Sequence, residues 1–148
     1  MNNFDTLCKS LFDSCDLAII VTDRQLELPG PKILYVNPKL CSNMLYDQAQ
    51  VVGETPRMFQ GPKTERAVLE KLKDDLSQDR NFDGYTINYR SDGSEVYLRW
   101  TIISLKAFNN SYFVAVQELY TPGTVVEWIQ KIKELQKDII GRLDKIPN

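Results

Sequence analysis

The chain has 148 residues, enough for one domain with a sizeable core. Its 18 basic and 20 acidic residues give a formal charge of −2, so no basic footprint favours nucleic acid, and the lack of histidine argues against the commonest general base, haem ligation and most zinc sites. Cys8, Cys15 and Cys41 form no CxxC pair and suggest a reducing, cytoplasmic setting, while the sequence offers neither a cationic apolar leader nor a run of 18 apolar residues, so no membrane partner is expected.

Phe4, Leu7, Cys8, Leu11, Phe12 and Cys15 recur at three- and four-residue spacings, which predicts an amphipathic helix over 3–15 with its cysteines packed inside. LAIIVTD (17–23) and ILYVN (33–37) read as strands joined by a loop punctuated by ELPGPK. Asn37 followed by Pro38 is an N-cap with proline at the first helical position, opening a short helix through Leu45 that packs Cys41 inward. Residues 47–62 read as irregular, and Thr64 to Leu76 as a helix with Leu69, Leu72 and Leu76 as its buried stripe. FDGYTINYR and EVYLRWTIISLK then flank SDGS, where Asp92 and Gly93 suit a two-residue hairpin turn; FNNS makes a second turn before YFVAVQELY (112–120). Thr121, Pro122 and Gly123 break the pattern ahead of a last helix. In it Val125, Ile129, Ile132, Gln136, Ile139, Leu143 and Ile146 form a heptad seam, which asks for a second copy in preference to folding back on its own domain.

Strand alternation puts Gly84, Thr86 and Asn88 on one face, with Val96, Leu98, Trp100 and Ile102 and with Phe113, Ala115 and Gln117. The opposite face is also apolar, so the middle helices are assigned to one side and the two terminal helices to the other, an α+β arrangement. Asn88 and Gln117 then become buried carboxamides among apolar side chains. Each offers a donor and an acceptor, which suits either the edge of a planar heterocycle, such as a flavin or purine, or a structural bond to the backbone.

GETPRMFQGPKTERAVLEKLK, INYRSDGSEVYLRW and FVAVQ together resemble the light-oxygen-voltage (LOV) group of PAS sensory domains, and VTD at 21–23 agrees with them. The resemblance runs from about Leu17 to Tyr120. It implies a PAS fold: a five-stranded antiparallel sheet with helices on its inner face and the N- and C-terminal helices on its outer face. The chain then divides into a capping helix (1–16), a core (17–120) and a C-terminal amphipathic helix (124–146). The resemblance further implies a flavin, FMN or FAD, held noncovalently by Thr22, Arg57, Gln60, Lys73, Asn88, Leu98, Trp100 and Gln117. In it Arg57 and Lys73 match phosphate contacts, Gln60 a ring-side glutamine, Asn88 an amide at the pyrimidine edge, and Gln117 the glutamine whose reorientation reports flavin state.

Three positions depart from the family pattern. Pro56 stands where typical members carry the adduct-forming cysteine, Thr55 where asparagine is usual, and Leu98 where a second asparagine faces the pyrimidine; the Thr55-Pro56 pair also reads as a helix start, with threonine as cap and proline at the first helical position. A lost amide costs about 1–3 kcal/mol if nothing replaces it. Trp100, where phenylalanine is common, either stacks on a ring or fills its space. The expected function is that of a sensor or photoreceptor module in signal transduction, without haem, metal or enzymatic activity. It would form a homodimer through its terminal helices and act on an unidentified downstream signalling protein. The alternative is a cofactor-free or small-ligand PAS module for dimerisation and partner binding, its cavity closed by Leu98 and Trp100.

Overall fold

A computed structural model describes residues 2–120 and 125–146. Helix α1 (Asn3–Phe12) starts where the Asn2 side chain accepts from the backbone N–H of Asp5, and it turns Leu7, Cys8, Leu11 and Phe12 into the protein. Strands β1 (Ala18–Thr22) and β2 (Ile33–Val36) follow and pair antiparallel. The chain then passes through α2 (Pro38–Met44), α3 (Gln48–Val51), a 3-10 turn (Pro56–Phe59) and α4 (Arg66–Ser77) before it enters β3 (Phe82–Tyr89), β4 (Glu95–Ala107) and β5 (Asn110–Leu119). Helix α5 (Val125–Leu143) closes the described chain, and Thr121, Pro122 and Gly123 lie outside the described residues.

The sheet order is β2-β1-β5-β4-β3, and every neighbouring pair is antiparallel. The middle helices carry the chain from one sheet edge to the other, and the meander of β3, β4 and β5 then returns β5 to the centre beside β1. Strand alternation sorts the side chains into two cores. Ile20, Leu40, Phe59, Leu76, Phe82, Leu98 and Ala115 fill the inner one, under the middle helices. Phe12, Ile19, Leu105, Val114, Trp128 and Ile139 fill the outer one, under α1 and α5. The fold is α+β with the helix placement expected for a PAS domain.

Asn37 ties three elements together at one buried point. Its Oδ1 accepts from Ile19 N at 2.9 Å and from Leu40 N at 3.0 Å, and its Nδ2 donates to Phe12 O at 3.0 Å and Leu17 O at 2.8 Å. One side chain thus caps α2, holds the start of β1 and fixes the end of α1.

Several local expectations need correction. Residues 47–62 are not wholly irregular: Asp47 and Gln50 form a capping box that starts α3, while Thr55 caps the 3-10 turn with Pro56 at its first position, as the Thr-Pro pair predicts. The helix predicted over 3–15 stops at Phe12, and Cys41 is only half-buried. At SDGS only Gly93 adopts a left-handed conformation, with φ of 85°, because the Asp92 carboxylate accepts from Ser94 N and shapes a wider turn closed by Gly93 N to Arg90 O. The two-residue left-handed turn occurs instead at Phe108 and Asn109, where the Phe108 side chain packs partly against the outer core. The α5 seam expected to meet a second copy largely faces its own sheet: Ile139 is buried with Trp128 and Leu135, Gln136 is half-buried, and Ile129 stays exposed. The side chain of Val125, the first seam position, lies outside the described residues.

Candidate functional site

Between the inner sheet face and α4 lies a cavity of about 630 Å³. Its floor is made by Ile20 and Thr22 of β1, Trp100 and Ile102 of β4, and Phe113, Ala115 and Gln117 of β5; Leu69, Leu72 and Leu76 of α4 form its roof. Of the expected stripe, Leu76 is buried while Leu69 and Leu72 are half-buried, and all three line the cavity. Volume and lining are those of a small-molecule site, apolar with a few convergent polar groups.

Local sequence positions each polar group. Thr55 accepts from Arg57 N at 3.2 Å, and the 3-10 turn it caps presents Arg57 and leads into Gln60. Gly61 lets the following loop press onto β3, since a Cβ there would lie 2.3 Å from a Tyr89 ring carbon. Lys63 N donates to the Tyr89 hydroxyl at 2.9 Å, and the Thr64 hydroxyl donates to Ile87 O at 2.6 Å, so the loop covers the free edge of the sheet and fixes Gln60 at the cavity wall. Gly84 sits opposite Trp100 in the β3–β4 register, and a side chain there would meet the Phe82 ring, which packs edge-to-face on the Trp100 indole at 5.0 Å. Trp100 in turn stands opposite Gln117 across β4 and β5.

Six of the eight positions expected at the site line this cavity: Thr22, Arg57, Gln60, Lys73, Trp100 and Gln117. Asn88 and Leu98 do not. Both are buried on the inner face beyond Trp100, where Leu98 packs in the inner core and faces Thr86 across the β3–β4 pair. The Thr22 hydroxyl already donates to Asp23 O at 2.7 Å. The cations at the mouth are engaged by the β1–β2 loop: the Arg57 guanidinium donates to Gly30 O and to Leu26 O, and Lys73 Nζ lies 2.7 Å from Glu27. That Lys73 hydrogen bond, with its charge, holds the Glu27 carboxyl below the ordinary range.

Arg66 also lines the mouth, and sequence reasoning missed it. The signal was present, because Arg66, Leu69 and Lys73 are spaced three and four apart on one helix face that continues to the cavity roof. Two buried polar atoms on the inner face, Trp100 Nε1 and Thr86 Oγ1, have no hydrogen-bond partner. Such orphans are costly and rare, about 1–3 kcal/mol each; Trp100 lines the cavity, so its free N–H marks the sheet side of the site as incomplete in itself, while Thr86 lies outside the lining. Pro56 lies on the cavity wall at the position expected for the adduct thiol and carries no nucleophile. None of the three cysteines lines the cavity, and burial raises each thiol above its ordinary value, Cys8 to about 12 with help from Asp5 and Asp13. Asp74 and Asp75, adjacent carboxylates outside the cavity, are engaged by Arg80 and, for Asp75, by Lys71. Among the described residues no cluster of three metal-ligating side chains forms, and no helix is long and apolar enough to cross a membrane.

Comparison with known proteins sets this geometry in a family. Residues 16–119 match the model of a PAS domain. The chain belongs to the PAS domain family. This PAS domain is 27% identical over 137 residues to phototropin-2 of Oryza sativa subsp. japonica, covering 93% of the chain but 14% of that protein. Its fold matches the Rhodobacter sphaeroides LOV protein with a TM-score of 0.80 at 15% identity, covering 99% of this chain and 86% of that one. It also matches a light-oxygen-voltage domain studied with a flavin analogue, with a TM-score of 0.68 at 22% identity, covering 87% of this chain and 95% of that one. These matches support a PAS domain of the LOV type. The chain spans about a seventh of its phototropin relative, so this similarity concerns one module of a longer protein.

Proposed function

We propose that this PAS domain is a sensory module that holds a flavin noncovalently in the inner cavity and reports light or redox state without a cysteinyl adduct. The observation that carries the reading is the inner-face cavity flanked by the Gln60 and Gln117 carboxamides and the Trp100 indole, with Arg57, Arg66 and Lys73 at its mouth. A bound flavin supplies absorption of blue light and electron-transfer chemistry. The chain supplies the rest. Gln60 and Gln117 present donors and acceptors to a heterocycle edge, Trp100 offers an unpaired N–H, and the mouth cations suit one phosphate for FMN or two for FAD. Binding a phosphate requires Lys73 to exchange Glu27 for the ligand. A Gln117 carboxamide that turns between donating and accepting alters bonding in β5, which runs beneath the terminal helices. The same reading makes the domain non-enzymatic and cytoplasmic, a homodimer through its terminal helices, and a module that acts on a separate downstream signalling protein. Truncation after Tyr120 then lowers its mass in light scattering, and an unchanged dimer places the interface elsewhere.

One observation favours the second reading, a cofactor-free or small-ligand module for dimerisation and partner binding: Leu98 and Asn88 are both buried on the inner face and neither lines the cavity. The absorption spectrum of purified protein, before and after incubation with FMN and FAD, separates the two. A structured blue band that stays with the protein through gel filtration supports the sensor. Its absence after reconstitution leaves the interaction module.

A further inference from the structure

The cavity-lining residues Trp100 and Gln117 have chain neighbours, Arg99 and Glu118, that face the opposite side of the sheet and stand opposite each other across β4 and β5. Arg99 is 5% exposed, and its Nε and Nη1 have no hydrogen-bond partner. Its guanidinium lies 5.4 Å from the Tyr85 ring of β3 and 5.5 Å from the Trp128 ring of α5, and among the described residues it makes no ion pair. Among the described residues, the carboxylates near it on that face are otherwise engaged: Glu118 binds Lys131 of α5 at 2.7 Å, and Asp83 accepts from the Thr101 hydroxyl at 2.8 Å. Thr101 in turn accepts from Trp128 Nε1 at 3.0 Å.

Helix α5 is therefore seated by specific contacts, Trp128 on Thr101 and Lys131 on Glu118, over a desolvated cation. Arginine stays charged in any protein setting, so burial cannot be relieved by losing a proton. Two aromatic faces return only part of the lost hydration, and unsatisfied N–H groups keep the rest outstanding. Lifting α5 admits water to the guanidinium, so Arg99 favours the undocked helix. We infer that Arg99 is a positioning residue whose buried, partly unsatisfied charge weakens the docking of α5 on the sheet. The device acts whatever occupies the cavity and does not depend on the flavin reading.

The test is hydrogen exchange, read by mass spectrometry on the full chain, for wild type, Arg99→Met and Arg99→Lys. Methionine keeps an unbranched stem between the two rings and removes the charge. The expected result is slower exchange of α5 amides over 128–143 in Arg99→Met, by about tenfold as befits removal of a desolvated charge, with the β4 and β5 amides unchanged. Arg99→Lys, whose ammonium sheds its proton more easily when desolvated, is expected to protect α5 no better than wild type at low pH and to approach Arg99→Met as pH rises. Faster or equal exchange of α5 in Arg99→Met overturns the inference, since the guanidinium then holds the helix down or has no effect on it. Loss of sheet protection in Arg99→Met overturns it as well, because the charge is then needed for the fold. Tightening of α5 by lysine to the same extent as methionine at every pH would remove charge as the cause.

Discussion

Replacing Asn37 with alanine tests how much of the assembly rests on one side chain. The substitution removes four buried hydrogen bonds and leaves the N–H groups of Ile19 and Leu40 without the carboxamide oxygen they share. The two carbonyls lose less, because an oxygen has a second lone pair and Phe12 O also accepts from Cys15 N. Each orphaned buried N–H costs about 1–3 kcal/mol, so the loss is about 4 kcal/mol once the carbonyls are included. That is a large share of the ~5–15 kcal/mol that stabilises a domain, and for a chain of this length it lowers the melting temperature by about 8–16 °C. Urea unfolding followed by far-ultraviolet circular dichroism measures it, with the slope unchanged and the midpoint lowered. Asn37→Ser, which can cap Leu40 but is too short to span all four partners, should recover about 1 kcal/mol. A loss below about 1 kcal/mol in Asn37→Ala would refute the reasoning, because the backbone would then have found other partners.

Four further outcomes follow from the same geometry. Gly61→Ala forces a Cβ to within 2.3 Å of the Tyr89 ring and should cost about 1–3 kcal/mol by displacing the loop from β3; an unaltered thermal midpoint would show that the loop is not clamped. If flavin binds, Gln60→Leu should weaken retention about tenfold whereas Asn88→Leu, outside the cavity, should leave it nearly unchanged, and equilibrium dialysis that gives the reverse order would misplace the ring. Pro56→Cys puts a thiol on the cavity wall and should make the blue band bleach reversibly in light; a band that stays constant under illumination counts against that placement. Burial raises the Cys8 thiol from 9.0 to about 12 in the folded state, so the folded protein holds this proton more tightly than the unfolded chain does. Its contribution is therefore present below pH 9 and lost as pH rises from 9 to 12, and urea midpoints across that range should fall less steeply in Cys8→Ala.

Much of the fold was legible because it depends on short-range rules. The alternation of Leu98, Arg99, Trp100 and Thr101 assigned each to its sheet face, and the structure keeps Leu98 and Trp100 in the inner core with Arg99 and Thr101 against Trp128 on the other face. Asn37 and Thr55, each followed by proline, announced helical starts that the structure contains. The turns were less legible, because Asp92 spends its carboxylate on Ser94 while Phe108 accepts a left-handed backbone in exchange for partial packing on the outer core.

What the sequence by itself determined is the order of elements, the face each strand residue takes and the polar groups available to a site, since all three follow from residue type and period along the chain. Tertiary structure alone decided that Leu98 and Asn88 fall beyond the cavity, that Glu27 and the β1–β2 loop occupy Lys73 and Arg57, that Arg66 joins them at the mouth, and that α5 lies on its own sheet over Arg99. These facts depend on which distant segments meet. A periodic pattern specifies that a face must be covered, but the covering partner and the volume left beneath it are fixed only when the helices settle against the sheet.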